Sequence, residues 1–133
     1  MMPAHRVKNV GSWAMWPALC ACACVLVIAP AGRAKEESAM PAGLQPGEAK
    51  FNANCARCHG ERAAGTSQGP PLVHKIYEPN HHGDFAFQRA AANGVRAHHW
   101  KFGDMPKIEG VTAADVEQII AYVRWLQRQA GIM

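Results

Sequence analysis

The stretch Cys55-Ala56-Arg57-Cys58-His59 decides the fold of this chain. On a helix, Cys55, Cys58 and His59 occupy positions i, i+3 and i+4, and side chains at these spacings emerge on one face. Two thiols and one imidazole are therefore expected to face the same space. Arg57 lies off that face, and we expect it to be solvated.

Two cysteines separated by two residues and followed by a histidine form the attachment motif of a c-type haem. The thiols add to the two vinyl groups of the porphyrin, and the imidazole binds the iron from one side. We therefore predict one covalently bound haem c, attached through Cys55 and Cys58, with His59 as an axial iron ligand. A thioredoxin-like redox pair would need a surrounding β-α-β pattern, which the sequence lacks. A zinc site would need a second Cys or His pair at a recognisable ligand spacing.

The N-terminal residues 1–34 have the features of a signal peptide. Residues 5–8 include three basic side chains, and residues 10–28 are mostly apolar. The small residues 29–31 offer a cleavage site, and Ala34, with Gly32 two residues before it, offers another. These features predict export, in a bacterium to the periplasm, where c-type haem is attached. An uncleaved membrane anchor is the alternative, because the apolar run approaches the roughly 20 residues that a spanning helix needs.

The charge balance of the chain depends on this segment. The 133 residues include 14 Lys and Arg against 10 Asp and Glu, a formal net charge of +4. Arg6, Lys8 and Arg33 belong to the predicted signal peptide, which leaves eleven basic against ten acidic residues. A nearly neutral mature chain gives no reason to expect nucleic-acid binding.

The remainder is large enough for one small domain. We expect residues 35–45 to form a flexible lead-in and residues 46–133 to form the domain. A chain of about a hundred residues builds a core that is marginal by itself. A buried porphyrin would supply the missing apolar centre.

The helix start and stop signals in residues 46–133 predict helices joined by long connections. Pro46 and Glu48 suit the start of a first helix, and Gly60 suits its end after the haem motif. Asp84 is predicted to be the N-cap of a second helix that ends before Gly94. No convincing alternating strand pattern occurs, so the fold class is all-α.

The last helix has the clearest signals. Thr112 followed by Asp115 resembles a capping box. An apolar stripe with helical spacing runs from Val116 to Leu126. Trp125 lies opposite this stripe, so we expect it to be exposed.

Met105 is the leading candidate for the second axial ligand. It lies in the irregular stretch Gly103-Asp104-Met105-Pro106, where the proline restricts the loop that presents the sulfur. A thioether ligand favours ferrous iron and raises the reduction potential. The alternative is a methionine that fills a gap in the core.

With these features the chain resembles the class I c-type cytochromes, which are small monohaem electron carriers, over about residues 46–129. The resemblance implies three to five helices around one haem. Gly47 matches the family's first helix, where a glycine allows the last helix to cross closely, and Ile119-Ile120-Ala121-Tyr122-Val123 matches that last helix. Pro70 matches the proline whose carbonyl accepts the N–H of the axial histidine, here His59, and so fixes its tautomer.

The chain departs from the simplest members of the family in its histidines, which are His74, His81, His82, His98 and His99. One of them is a possible distal ligand in place of Met105. The paired histidines are also suited to a second metal such as copper. The remaining interpretation is that they lie on surface loops, some of them bonded to haem propionates. Trp100, which follows them, is expected to pack on the haem edge or to donate its indole N–H to a propionate.

The resemblance implies an exported protein that carries single electrons between redox partner proteins. Such partners would dock at the exposed haem edge, and the protein would act as a monomer or as a subunit of a larger oxidoreductase, not as an enzyme. Two alternatives stay open. One is a haem enzyme or gas-binding haem protein with an open axial site, and the other is a copper-handling haem module that uses the paired histidines.

Overall fold

The structure, a computed structural model, describes residues 39–133, and the predicted signal peptide lies outside the described residues. The described part contains four α-helices and no β-strand, which confirms the all-α prediction. These are α1 (Gln45–Asn54), α2 (Ala56–His59), α3 (Asp84–Asn93) and α4 (Ala113–Gln129). Single 3-10 turns occur at Ala42–Leu44, Glu61–Ala63 and Lys75–Tyr77. Within residues 39–133, none of the helices is long and apolar enough to cross a membrane.

Helices α1 and α4 cross closely at Gly47. A Cβ atom at this position would overlap the backbone carbonyl of Gln118 and would lie 3.2 Å from Cβ of Tyr122. One turn further along α1, the fully buried ring of Phe51 packs on the ring of Tyr122 with their centroids 5.7 Å apart. The close crossing that the family resemblance implied is therefore present.

Helix α4 is enclosed on more than its apolar stripe. The stripe residues are buried, as predicted; they are Val116, Ile119, Ile120, Val123 and Leu126. The expectation that Trp125 is exposed is wrong, because only 6% of its surface is accessible. Its ring stacks on Tyr122, and the guanidinium of Arg62 lies 5.8 Å from the ring centroid. The segment that carries Arg62 therefore covers the side of α4 that the apolar periodicity predicted to be exposed.

The start of α4 is tied to α1 by a polar network. The predicted capping box is present: the Asp115 N–H donates to the Thr112 hydroxyl at 3.2 Å, and the Thr112 N–H donates to the Asp115 carboxylate at 2.9 Å. The same carboxylate lies 2.5 Å from Nζ of Lys50 on α1. One aspartate thus caps a helix and joins it to its neighbour.

Helix α3 begins one residue earlier than predicted. Gly83 is its N-cap and Asp84 is its first helical residue. The Asp84 carboxylate accepts a hydrogen bond from Nε of Arg124 on α4, at 2.9 Å, and so does not cap its own helix. The tertiary contact between Asp84 and Arg124 has replaced the predicted capping contact within α3.

The described part of the predicted lead-in contacts the domain. Residues 42–44 form a 3-10 turn. Met40 and Leu44 are partly buried and pack against the core that α1 and α4 share.

Candidate cofactor site

The segment that carries the two cysteines and the histidine is a short helix between two backbone breaks. The backbone of Cys55, with φ −120° and ψ −35°, separates α1 from α2, and Gly60 ends α2 at φ 76°. Cys55, Cys58 and His59 are all partly buried, and all three line one cavity. Arg57 is exposed.

The cavity has a volume of about 520 Å³, within the range of roughly 300–1,000 Å³ that is typical of ligand and cofactor sites. Its wall is largely apolar and is built from α1, α3, α4 and the loops between them. Apolar side chains in this wall include Phe51, Leu72, Phe87, Val95, Val116 and Ile119.

A single hydrogen bond sets the tautomer of His59. Its Nδ1 lies 2.8 Å from the carbonyl oxygen of Pro70, so Nδ1–H donates and Nε2 keeps its lone pair. Burial lowers the pKa of His59, and the Pro70 carbonyl raises it to a lesser degree. A neutral imidazole held in one tautomer is suited to bind a metal.

The Cys55 thiol does not have the lowered pKa of a redox-active cysteine. Burial raises the pKa of Cys55 to about 11, and the charge of Cys58 adds to this effect. The free Cys55 thiol is therefore protonated at neutral pH, whereas redox-active cysteines depend on a lowered pKa. This argues against the thioredoxin-like alternative.

Met105 lines the same cavity and is held by its backbone. Its N–H donates to the carbonyl of Val95, and the N–H of Val95 donates to the carbonyl of Met105, both at 2.9 Å. Gly94, at φ 73°, allows this approach, since a Cβ atom there would lie 2.5 Å from the Met105 oxygen. The loop that carries Met105 is therefore anchored to the end of α3.

The comparison with known proteins agrees with this arrangement. The sequence model of the family described as Cytochrome c matches residues 44–127. The chain belongs to the cytochrome c family. No curated protein and no solved structure matches the chain significantly. Membership of this family means that the protein is a haem-based electron carrier with covalently attached haem c, and Cys55 and Cys58 have the spacing that the attachment needs.

The residues of the cavity fit haem c. Two thiols and a neutral imidazole share a largely apolar wall with Met105. Trp100 adds a hydrogen-bond donor, because its Nε1 is buried and has no hydrogen-bond partner among the described residues. The Trp100 indole does interact with the Tyr77 hydroxyl, where it offsets part of the rise in the Tyr77 pKa that burial causes. A buried donor without a partner is suited to a carboxylate, and haem carries two.

Arg124 is a residue that the sequence interpretation missed. Only 5% of its surface is accessible, yet its guanidinium donates to the backbone carbonyls of Tyr77 and His82, each at 2.6 Å, and to the side chain of Gln127 at 2.7 Å. Together with Asp84, these partners join α4 to α3 and to the segment that precedes α3. A polar position within an apolar helix was the available signal.

Gln127 completes this buried polar contact between α4 and the loops. It is fully buried, and its amide donates to the carbonyls of Leu72 at 2.8 Å and Tyr77 at 3.0 Å. Arg124 and Gln127 thus fix the loop that forms one side of the cavity.

The histidines divide into two groups. His74 accepts a hydrogen bond from the backbone N–H of Ile76 and packs edge-on against Trp100. The other four form one cluster, with neighbouring ring centroids 4.3 to 5.9 Å apart; they are His81, His82, His98 and His99.

Desolvation, followed by the charges of the neighbouring histidines, lowers the pKa of His99. The pKa of His82 is also lowered, by burial first. The sequence showed two histidine pairs but not that the pairs meet.

Proposed function

We propose that the protein is an exported single-electron carrier whose haem iron is bound by His59 and Met105. It acts as a monomer or as a subunit of a larger oxidoreductase, and not as an enzyme in its own right. One observation supports the ligand pair above all: the Met105 loop is anchored at the wall of the cavity that also receives His59.

The ligand pair determines what the iron does. When bound, haem c supplies a one-electron couple. His59 and Met105 would hold the iron through an imidazole and a thioether, and this ligand pair would raise the reduction potential and exclude small ligands. A site without an open position favours electron transfer over turnover of a bound substrate.

The chain's own residues hold this arrangement. Pro70 orients the His59 ring through the 2.8 Å hydrogen bond. The Val95 bridge restrains Met105, and the side chains of Phe51 and Ile119 keep water from the interior of the cavity. A restrained site changes little between oxidation states, and this lowers the cost of each transfer.

Export rests on the signal-like segment and on the chemistry of haem attachment. Partner proteins would dock transiently at the mouth of the cavity. Lys101, which lies in sequence between the cavity-lining residues Trp100 and Phe102, is exposed, and Lys107 is paired with Glu109 at 2.7 Å. Together with the nearly neutral mature charge, this predicts weak electrostatic steering.

The absorption spectrum of the ferric holoprotein tests the ligand pair. We expect low-spin iron with a sulfur-to-iron charge-transfer band. High-spin iron would contradict the proposal and favour a haem enzyme or gas-binding protein. Low-spin iron without the sulfur band would point to a histidine in place of Met105.

Export needs a separate measurement. We expect haem-stained protein in the periplasmic fraction, with an N-terminus close to residue 35. Haem-stained protein that begins at Met1 in the membrane fraction would show an uncleaved anchor instead.

A further inference from the structure

Three histidines from two loops lie together at the mouth of the haem cavity. One ring nitrogen from each of His81, His82 and His99 lies within 4.8 Å of the others. We propose that these three side chains bind one divalent transition-metal ion with a preference for imidazole, Cu²⁺ or Zn²⁺, separate from the haem iron. The proposal requires only that none of these three side chains binds that iron.

The distance between two of the nitrogens supports the site directly. Nε2 of His81 lies 3.2 Å from Nε2 of His99, although the residues are 18 positions apart in sequence. Imidazole nitrogens bind Zn²⁺ at about 2.0–2.1 Å, so two of them at a tetrahedral angle are about 3.3 Å apart. The pair thus already has the separation that one shared ion would require.

The third histidine is oriented by the backbone. Nδ1 of His82 lies 2.7 Å from the carbonyl oxygen of Ile76, so Nδ1–H donates and the lone pair is on Nε2. A hydrogen bond from the second ring nitrogen to a carbonyl is the usual support of a metal-binding histidine. Arg124 holds the same segment through its bond to the His82 carbonyl.

The chemistry of the donors determines the class of ion. Three neutral imidazoles favour Zn²⁺, Ni²⁺ and above all Cu²⁺ among divalent ions, whereas Ca²⁺ and Mg²⁺ need oxygen ligands. The guanidinium of Arg124 acts on His82, and this positive charge is paired with Asp84 at 2.9 Å. His81 and His99 are exposed, so an ion can reach the site and can take water as a further ligand.

The test uses the ferric, haem-loaded protein and Zn²⁺, which has no redox chemistry. By isothermal titration calorimetry we expect one Zn²⁺ per chain, and Cu²⁺ should displace it. The variant His81→Gln/His99→Gln should bind Zn²⁺ more than about 100-fold more weakly, because losing two ligands costs more than the 10–100-fold loss typical of an outer-sphere partner.

His98→Gln is the matched control. His98 belongs to the same exposed cluster, with its ring 4.3 Å from that of His99, but it is outside the group of three. This variant should bind Zn²⁺ within about threefold of the wild type, roughly 0.7 kcal/mol. X-ray absorption at the zinc edge should show three nitrogen neighbours of imidazole type at about 2.0 Å.

Three results would overturn the proposal. Equal binding of Zn²⁺ by the wild type and the double variant would mean that the binding is nonspecific. Equal losses of Zn²⁺ affinity in His98→Gln and in the double variant would show that the three proposed ligands do not form the site. A change of the haem iron from low-spin to high-spin in the double variant would show that a histidine of this cluster binds the iron, and that result would also contradict the proposed Met105 ligation.

Discussion

Val95 and Met105 exchange two backbone hydrogen bonds of 2.9 Å, and this pair is the isolated β-bridge in the described part of the chain. The bridge joins the second residue after α3 to the loop before α4. Since Met105 lines the cavity that also receives His59, the bridge determines where the thioether is presented. Several of the expected mutant phenotypes depend on this contact or on the contacts that support it.

Replacing Met105 by alanine should open the iron while leaving the haem attached. Attachment depends on Cys55 and Cys58, whereas the thioether raises the potential and excludes small ligands. We expect Met105→Ala to have a lower reduction potential and to bind added imidazole or carbon monoxide. Redox titration and absorption spectra measure both effects.

Met40→Ala is the control for this change, because Met40 is partly buried against the core but lies outside the cavity wall. It should keep the wild-type potential. A Met105→Ala protein with an unchanged low-spin spectrum and potential would identify a histidine as the ligand.

Gly94→Ala should disturb Met105 through the backbone. At φ 73° and ψ −179°, Gly94 has a conformation that essentially only glycine adopts, and an alanine there costs about 1–3 kcal/mol. Its Cβ atom would also lie 2.5 Å from the Met105 carbonyl oxygen. We expect a loss of roughly 2–4 kcal/mol in the free energy of unfolding, and a partly high-spin ferric spectrum. Denaturant titration and the spectrum give the two readouts.

Gly110→Ala is the control that separates backbone strain from the steric contact with Met105. Gly110 has a similar φ of 76°, but nothing lies within 4 Å of its Cβ position. This variant should lose stability by about 1–2 kcal/mol with an unchanged spectrum. Equal spectra for the Gly94 and Gly110 variants would speak against the role of the bridge.

Gly47→Ala should push α1 and α4 apart, because its Cβ atom would overlap the Gln118 carbonyl. Overpacking of this kind costs about 1–3 kcal/mol, and more where backbone must move. Gly43→Ala, at an exposed position with nothing within 4 Å, should be nearly neutral. Denaturant unfolding of the two holoproteins measures the difference, and equal midpoints would contradict the close crossing.

Arg124→Met should destabilise the protein although it removes a buried charge. The variant leaves the amide oxygen of Gln127 and the carbonyl of His82 without their donor, and each unsatisfied group costs about 1–3 kcal/mol. The carbonyl of Tyr77 keeps the hydrogen bond from the Gln127 amide. We expect a loss of about 3 kcal/mol in the free energy of unfolding. Arg128→Met, exposed on the same helix, should change it by less than about 0.5 kcal/mol. Similar losses in both variants would show that the buried network adds little.

The Asp115 network should make stability depend on pH on the acid side. Hydrogen bonds from Lys50 and Thr112 hold the pKa of Asp115 well below its usual range. A carboxyl whose pKa is lower in the folded state contributes stability above its unfolded pKa of about 3.9, and this contribution disappears as pH falls through the folded pKa.

Asp115→Asn should therefore reduce stability at neutral pH and flatten the loss of stability below about pH 4. Glu117→Gln, an exposed change on the same helix outside this network, should leave the slope unchanged. Thermal unfolding between neutral and acidic pH measures the slope. An unchanged slope in Asp115→Asn would remove the network as its cause.

The local signals of the sequence were sufficient for the fold class and the cofactor. The spacing of Cys55, Cys58 and His59 has a chemical meaning by itself, and the capping pair Thr112 and Asp115 acts within one helical turn. Burial of Trp125 was not predictable in this way. Helical periodicity describes one packed face, and it cannot show that a distant segment covers the other.

The sequence by itself determined the attachment of haem c and the all-α class, because these depend on residues within a few positions of one another. Only the tertiary structure brought His81 and His82 within reach of His99, and only it placed the Arg124 guanidinium among loop carbonyls. Contacts between distant segments depend on how the helices cross. Here that crossing is set by the space at Gly47 and by the loops that the buried side chain of Arg124 holds in place.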